Sequence, residues 1–289
     1  MVMMKKWTTG IVIAFIVVIP AVLLYLFDNE SLPAITYFPM DEKTEFEHVS
    51  TRLSLIEQTD KDSYEISWET NSKSERNVYL RQDAALLFDN GRLRGIQSKW
   101  MEDTAKIRMK QKLAGDDSSH FQTIAYHHGE VHYPDDQIKS MHRMSYDQLY
   151  VIDSPNTPLE SFKIPESEME DEWVRLLEHT TNQQLVYYWK NLTRHFKINP
   201  NNYITVPLTQ LYEYNNQSLP SFTQEQTNQI IGQLWEGLYK NYILAAKNSE
   251  KMKSYVPLIL FGKNKEHLLV VYALNGNKKK LIQQYPEFD

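Results

Sequence analysis

An uncharged apolar run near the N-terminus constrains this chain more than any other feature of its sequence. The run covers residues 7–27 and follows two lysines, Lys5 and Lys6. A membrane-spanning helix needs ~20 such residues, whereas the apolar region of a cleavable signal peptide has only ~7–15. The pattern predicts a cytoplasmic tip and transmembrane signal anchor at residues 1–27. A juxtamembrane spacer at 28–43 and an extracytoplasmic body at 44–289 would follow.

Composition narrows the class of the body. Hydrophobic residues make up 42% of the 289, enough to bury a core, and the chain has no cysteine. Disulfides, thiol catalysis and cysteine-ligated zinc are therefore excluded. Outside the two anchor lysines the chain keeps 29 of its 31 cationic residues against all 37 acidic ones, a net charge of −8 with histidine neutral. This acidity argues against nucleic acid as a partner.

The order of the predicted elements indicates the fold class. Alternation in the segment SYEISWET, residues 63–70, is typical of a half-buried strand. Two long amphipathic helices are predicted at about 167–199 and 221–242, and the chain then returns to apolar strands that would form a β-meander. Because strands and helices are segregated, we expect an α+β fold. The proline-bearing segment near 154–165 marks a candidate joint within the body.

The clearest local structure is a β-hairpin at Asn90-Gly91. This dipeptide is preferred in two-residue type I′ turns, where both central residues need positive φ. Apolar residues flank it on both sides, and Phe88 should face Leu93 across the ladder. We therefore expect two strands joined at this turn.

A concentration of histidine in AYHHGEVHYPDD, residues 125–136, is the one candidate metal site. A two-residue turn at His128-Gly129 would place His127, Glu130 and His132 on one face of a hairpin. Two histidines and a carboxylate can hold zinc with an open coordination position. The alternative is a solvated hairpin face that binds no metal, with histidines that titrate near neutrality.

A row of cations marks a candidate binding surface. If residues 104–113 form a strand, Lys106, Arg108, Lys110 and Lys112 project from one of its faces. The alternative secondary structure is a short helix, because Ala105, Met109 and Leu113 are four residues apart. The row could protect a sheet edge from aggregation. It could instead bind an anionic partner, namely wall polymer, lipid headgroups or an acidic envelope protein.

No catalytic sequence motif is present: the chain has no G-x-S-x-G, H-E-x-x-H, S-x-x-K or phosphate-binding loop. An anchor followed by a cysteine-free body rich in lysine, asparagine and glutamine resembles the layout of small envelope proteins of Gram-positive bacteria. The leading hypothesis is a membrane-anchored extracytoplasmic binding or regulatory protein without catalytic activity and without a cofactor. The alternative is a metal-dependent envelope hydrolase that holds zinc at the histidine hairpin.

Overall fold

The body is a mixed α/β structure with mostly antiparallel strands and a few helices. The computed structural model describes residues 35–60, 63–154, 158–249 and 252–288. The chain from Ile35 to Asp289 forms one compact unit. It contains two β-sheets and several helices.

The first sheet has six strands: β1 (Phe46–Asp60), β2 (Ser63–Asp89), β3 (Arg92–Gly115), β4 (Ser119–His132), β5 (Ile138–Ile152) and β6 (Glu160–Phe162). The path β1-β2-β4-β5-β6 is antiparallel throughout, and β3 pairs with β2 on its other edge. The first part of β2 pairs with β1, and its last ten residues pair with β4. Each half of this long strand therefore has a different neighbour.

The long β2–β3 hairpin bends sharply in its middle. Between Lys73 and Val78 four residues of β2 oppose a single residue of β3, Ala105. Ser74 fixes this bulge, because its hydroxyl donates to the carbonyl of Ala105 at 3.1 Å. A bulge of this kind bends a strand and increases its twist. The bend folds the first half of the hairpin over the second, and Trp68 then packs with Leu87 in a core between the two layers.

The second sheet consists of β7 (Tyr203–Pro207), β8 (Leu258–Gly262), β9 (His267–Leu274) and β10 (Asn277–Gln284), ordered β10-β9-β8-β7. Helix α1 (Glu168–His195) covers one face of it through Leu192. Helix α2 (Gln224–Leu238) lies between the two sheets. There Trp235 stacks on Tyr126 of β4 with ring centroids 4.9 Å apart.

The predicted pair of long helices needs correction. The first is observed as α1, with 28 residues, and Ser167 caps it by accepting from the backbone N–H of Glu170. The second is shorter than expected: α2 has 15 residues and is followed by a π-helical turn, Tyr239–Ile243, and a four-residue helix α3, Leu244–Lys247. Three 3-10 helices complete the helical elements of the described chain. The predicted helical period was right, but it did not reveal where the hydrogen-bond pattern changes.

The membrane prediction is also corrected. None of the helices in the described ranges is long and apolar enough to cross a bilayer. The membrane classification therefore has no support in the structure, and the predicted anchor, residues 7–27, lies outside the described residues. The predicted extracytoplasmic location stays a prediction.

Part of the predicted spacer packs onto the body as an arm, which we define as residues 35–44. Ile35 is fully buried in the core beside α2. The backbone N–H of Tyr37 donates to Glu236 at 2.9 Å, and that of Phe38 donates to the Ser140 hydroxyl at 2.8 Å. Gly232 makes room for the Tyr37 ring, since a Cβ there would meet that ring at 2.1 Å.

Candidate functional site

The predicted histidine hairpin is wrong. Strand β4 continues without a turn from Ser119 to His132 and pairs with β2 on one side and β5 on the other. Gly129 serves packing, because a Cβ there would meet the Met141 and Arg81 side chains at 3.0 and 3.1 Å. The chain turns instead after Tyr133, where Asp135 and Asp136 have positive φ.

A straight strand separates the three predicted zinc ligands. His127 and Glu130 are an odd number of residues apart and so lie on opposite faces of β4. His132 stays with Glu130, and its Nε2 lies 3.6 Å from a carboxylate oxygen of Glu130. No grouping of three histidine or carboxylate side chains within the described ranges is arranged to hold a metal ion. The structure thus does not bring His127, Glu130 and His132 together.

The cationic row lies on a strand, as predicted, since residues 104–113 belong to β3. Its charges are largely compensated by glutamates of the neighbouring strand. Arg108 and Lys110 both contact Glu69, at 3.3 and 2.5 Å, and Lys112 contacts Glu65 at 2.9 Å. The hydrogen bond from the Lys110 ammonium contributes most to lowering the pKa of Glu69. Three of the four predicted anion-binding cations therefore already have acidic partners.

A cleft of about 760 Å³ lies elsewhere, between the β2–β3 turn, α1 and the loop before β8. Its size falls in the usual range for small-molecule sites, roughly 300–1,000 Å³. In one wall, two backbone hydrogen bonds of 2.9 Å join the β2–β3 turn to the loop before β8. The Leu93 N–H donates to the carbonyl of Ser254, and the Val256 N–H donates to that of Gly91. Asn90 and Gly276, from two Asn-Gly turns with positive φ, border the opening.

Side chains of both charges line this cleft. Three cations, Arg92, Arg94 and Lys253, and two carboxylates, Asp116 and Asp117, are exposed at its wall. The ion pairs found among the described residues include none of these five. In contrast to the row on β3, the cleft presents cations that have no acidic partner within salt-bridge distance.

Aromatic and apolar surface accompanies the charges. The Arg92 guanidinium lies 5.5 Å from the centre of the Tyr255 ring, within the range of a cation–π contact. Tyr188 from α1, half-buried, stacks at a tilt on the same ring with centroids 4.8 Å apart. Met252 adds apolar surface beside them. The cleft therefore combines an aromatic wall with a few charged groups, as small-molecule sites do.

Asp89 is the most unusual group in the cleft. It ends strand β2, its Oδ1 atom is buried, and this atom has no hydrogen-bond partner among the described residues. Burial raises the pKa of the Asp89 carboxyl. A buried acceptor without a partner costs roughly 1–3 kcal/mol. A donor supplied by a ligand would recover that energy.

Sequence reasoning missed a second cluster, between the two layers of the folded hairpin. Asp83, His127 and Ser145 lie on one face of β2, β4 and β5, with Asp83 directly opposite His127 and Ser145 diagonal to it. Nδ1 of His127 lies 2.7 Å from Asp83 Oδ2, and its Nε2 lies 2.8 Å from Ser145 Oγ. Arg81, fully buried, completes the cluster with Nη2 3.5 Å from Asp83 Oδ1.

The cluster was missed because its members are far apart in sequence. His127 is 44 residues from Asp83 and 18 from Ser145. Only the strand order β2-β4-β5 and its register bring them together. One available signal was the pair Arg81 and Asp83, two charges in a short polar stretch with apolar residues on both sides. Charged residues are almost never fully buried unless they are paired.

Comparison with known proteins gives no assignment: neither a family model, nor a curated protein, nor a solved structure matches this chain.

Proposed function

We propose that this protein is a binding protein whose ligand occupies the cleft between the β2–β3 turn, α1 and the loop before β8. The ligand is small and carries both negative and positive groups, the chemistry of an amino acid or a short peptide. Its anionic groups contact Arg92, Arg94 and Lys253. Its ammonium group reaches Asp89.

The observation that carries this proposal is that several charged groups around one cavity lack a partner. Three cations without acidic partners and one buried carboxylate oxygen without a donor converge on the same space. On β3, in contrast, Arg108 and Lys110 both pair with Glu69. Buried polar groups are normally satisfied. A complementary ligand would satisfy these.

The exposed cations of the cleft favour a ligand that carries carboxylates. Arg92, Arg94 and Lys253 outnumber the two exposed carboxylates of its wall, Asp116 and Asp117. Arginine suits such recognition, because its planar guanidinium binds carboxylates in a bidentate geometry. An acidic dipeptide meets this requirement.

Isothermal titration calorimetry with the dipeptide alanyl-glutamate tests the proposal. We expect saturable binding to the full chain, with a Kd below about 1 mM. The double variant Arg92→Gln/Arg94→Gln should bind at least about tenfold more weakly. Arg52→Gln/Arg194→Gln is the matched control, because it removes the same charge from exposed arginines outside the cleft. Equal binding by both double variants, or no binding at millimolar peptide, would contradict the proposal.

A further inference from the structure

The proposed function is ligand binding without catalysis. The cluster of Asp83, His127 and Ser145 is a second site and points to a catalytic activity. We infer that Ser145 is an activated nucleophile that hydrolyses short-chain carboxylic esters, with His127 as its general base and Asp83 as the residue that positions His127. Nucleophile, base and orienting acid are recognised by geometry and role, and they recur on unrelated folds. The distances of 2.8 and 2.7 Å are those of working hydrogen bonds.

The hydrogen-bond roles follow from chemistry. A carboxylate can only accept hydrogen bonds, so the Nδ1–H group of His127 donates a hydrogen bond to Asp83 and keeps its proton. In the neutral imidazole Nε2 is then the acceptor, and the Ser145 hydroxyl donates to it. This is the tautomer that a general base for serine needs. Asp83 and His127 are fully buried, so surrounding side chains hold both in place.

The protein contains a second serine–histidine pair that lacks the acid. Ser140 Oγ lies 3.2 Å from Nε2 of His128, on the opposite face of the same strands. Nδ1 of His128 has no partner among the residues described. No carboxylate fixes the tautomer of His128, and Ser140 is fully buried. The complete chain of three groups therefore distinguishes Ser145 from Ser140.

Ser145 is also the accessible member of its cluster, since it is only half-buried. Beyond β4, the described strands and bridges that pair with β5 are the arm, at Ser140, and β6, from Tyr150 onward. Between them Asn215 partly covers the edge, because its side chain bonds both the backbone N–H and the C=O of Met144. An ester therefore has to reach the half-buried hydroxyl beside Asn215.

Strand β1 passes close to that edge and runs parallel to β5. Thr51 Oγ1 lies 3.5 Å from Thr123 Oγ1, and the Phe46 ring lies 6.1 Å from the His127 ring. These contacts show that β1 runs antiparallel to β4. Because β4 and β5 are antiparallel, β1 and β5 have the same direction.

This arrangement supplies a candidate donor for the oxyanion. The Leu53 N–H points away from β2 and donates to Asp147 Oδ2 at 2.7 Å. N–H groups alternate between the two edges of an antiparallel strand, so the Thr51 N–H points to the same side. Thr51 also contacts Thr123 of β4, which pairs with Asp147, so the Thr51 N–H lies near this part of β5 and is the donor that we assign to the developing oxyanion.

The reaction needs no external co-reactant except water. The Ser145 oxygen forms a bond to the acyl carbon, and its proton passes to Nε2 of His127. The ester C–O bond breaks, and the alcohol leaves with that proton. Water then attacks the acyl-serine, again losing a proton to His127, and releases the carboxylic acid with Ser145 restored. The Phe46 ring beside His127 limits the space, which favours short acyl groups.

Labelling with a fluorophosphonate tests the nucleophile in the full chain. Attack by an activated serine forms a P–O bond and releases fluoride, and intact-protein mass spectrometry detects the adduct. We expect one adduct, on Ser145, and its loss in Ser145→Ala. Hydrolysis of p-nitrophenyl acetate should fall about 10³-fold or more in the same variant. No adduct, an adduct on Ser140, or unchanged labelling of Ser145→Ala would overturn the inference.

A thiol variant separates an activated site from a structural network. The chain has no cysteine, so Ser145→Cys introduces a single thiol. A thiol beside the His127–Asp83 pair should react with iodoacetamide at pH 6.5 at least about tenfold faster than the thiol of Ser54→Cys, an exposed position on β1. A slower or equal rate means that Ser145 is inaccessible or not activated. Either result refutes the nucleophile and leaves the cleft proposal intact.

Discussion

At the scale of single residues, two glycines of Asn-Gly turns offer a controlled comparison. Gly91 and Gly276 have φ of +75° and +83°, a region in which other residues are strained. A Cβ at Gly91 would meet the Leu185 side chain at 3.0 Å, whereas one at Gly276 would meet nothing within 4 Å. The two positions therefore share the backbone strain but differ in packing.

We expect Gly276→Ala to lower the free energy of unfolding by about 1 kcal/mol through backbone strain alone. Gly91→Ala should cost more, because Leu185 of α1 must also move, and the larger side chain of Gly91→Val should cost more still. Urea denaturation monitored by circular dichroism measures all three. An unchanged midpoint for Gly91→Val would contradict the turn assignment. If Gly91→Ala and Gly276→Ala lower the free energy of unfolding equally, the Leu185 side chain can move aside without an energetic cost.

Two buried histidines make stability depend on pH. Burial lowers the pKa of His128 to about 3 and that of His142 to about 4, from a usual value near 6.5. The fold thus favours the neutral rings, while the unfolded chain binds protons below pH 6.5. Their contribution is complete above pH 6.5 and is lost as pH falls toward 4 and 3.

Between pH 7 and pH 5 this loss should be about 2 kcal/mol for each ring, or about 4 kcal/mol for both. Denaturant midpoints across that range measure it. His142→Asn should flatten the dependence, whereas His179→Gln, at an exposed position on α1, should leave it unchanged. Stability that does not fall between pH 7 and pH 5 would mean that the two rings are not buried as described.

Residue-level prediction from sequence succeeded where a local rule applies. Tyr64, Ile66 and Trp68 are buried, as their alternation indicated, because which face a strand residue occupies is a local property. The partner of a side chain across a sheet is not local. Sequence patterning therefore gave no hint that His127 faces Asp83 and Ser145, and it placed His127 wrongly beside Glu130.

At the scale of elements, the arm depends on a missing side chain in α2. Gly232 leaves space for the Tyr37 ring, while Gly237, in the same helix, has open space around it. Gly232→Ala should displace the arm and speed tryptic cleavage at Lys43. Gly237→Ala should leave cleavage unchanged and raise stability by up to about 1 kcal/mol. Equal cleavage rates for the two variants would show that the arm does not depend on this packing.

The cationic row on β3 yields a prediction at the same scale. Lys110 holds down the pKa of Glu69, so Lys110→Gln should raise the Glu69 pKa toward its usual value, and carboxyl carbon NMR measures this. Because three of the four cations have glutamate partners, the double variant Lys106→Gln/Lys110→Gln should bind anionic vesicles no differently from wild type. Weaker binding by the double variant would restore the row as an anion-binding surface.

Element prediction worked where the turn chemistry is unambiguous. At Asn90-Gly91 the hairpin and the Phe88–Leu93 pairing are as expected. At His128-Gly129 a glycine was interpreted as a turn, although its role is to admit the Arg81 side chain. A glycine in a strand can mark a turn or a close approach. Only the neighbouring strands decide between these alternatives.

At the scale of the whole molecule, the topology lay beyond the sequence patterns. They indicated segregated strands and helices, but not that the β2–β3 hairpin folds over itself and closes β1 against β5. That arrangement depends on long-range contacts such as the one between Leu53 and Asp147. The cleft likewise forms only when the chain has folded, because β2, β3, α1 and β9 each contribute only part of its wall.

Hydrogen–deuterium exchange of the full chain with and without alanyl-glutamate tests the central claim, that the cleft is the ligand site. Bound peptide should slow exchange in residues 89–94 and 252–256, on both sides of the cleft, and leave β1 and the cationic stretch 104–113 unchanged. Arg92→Gln/Arg94→Gln should lose this protection. Protection confined to other elements, or none at peptide concentrations that saturate the calorimetric signal, would contradict the account.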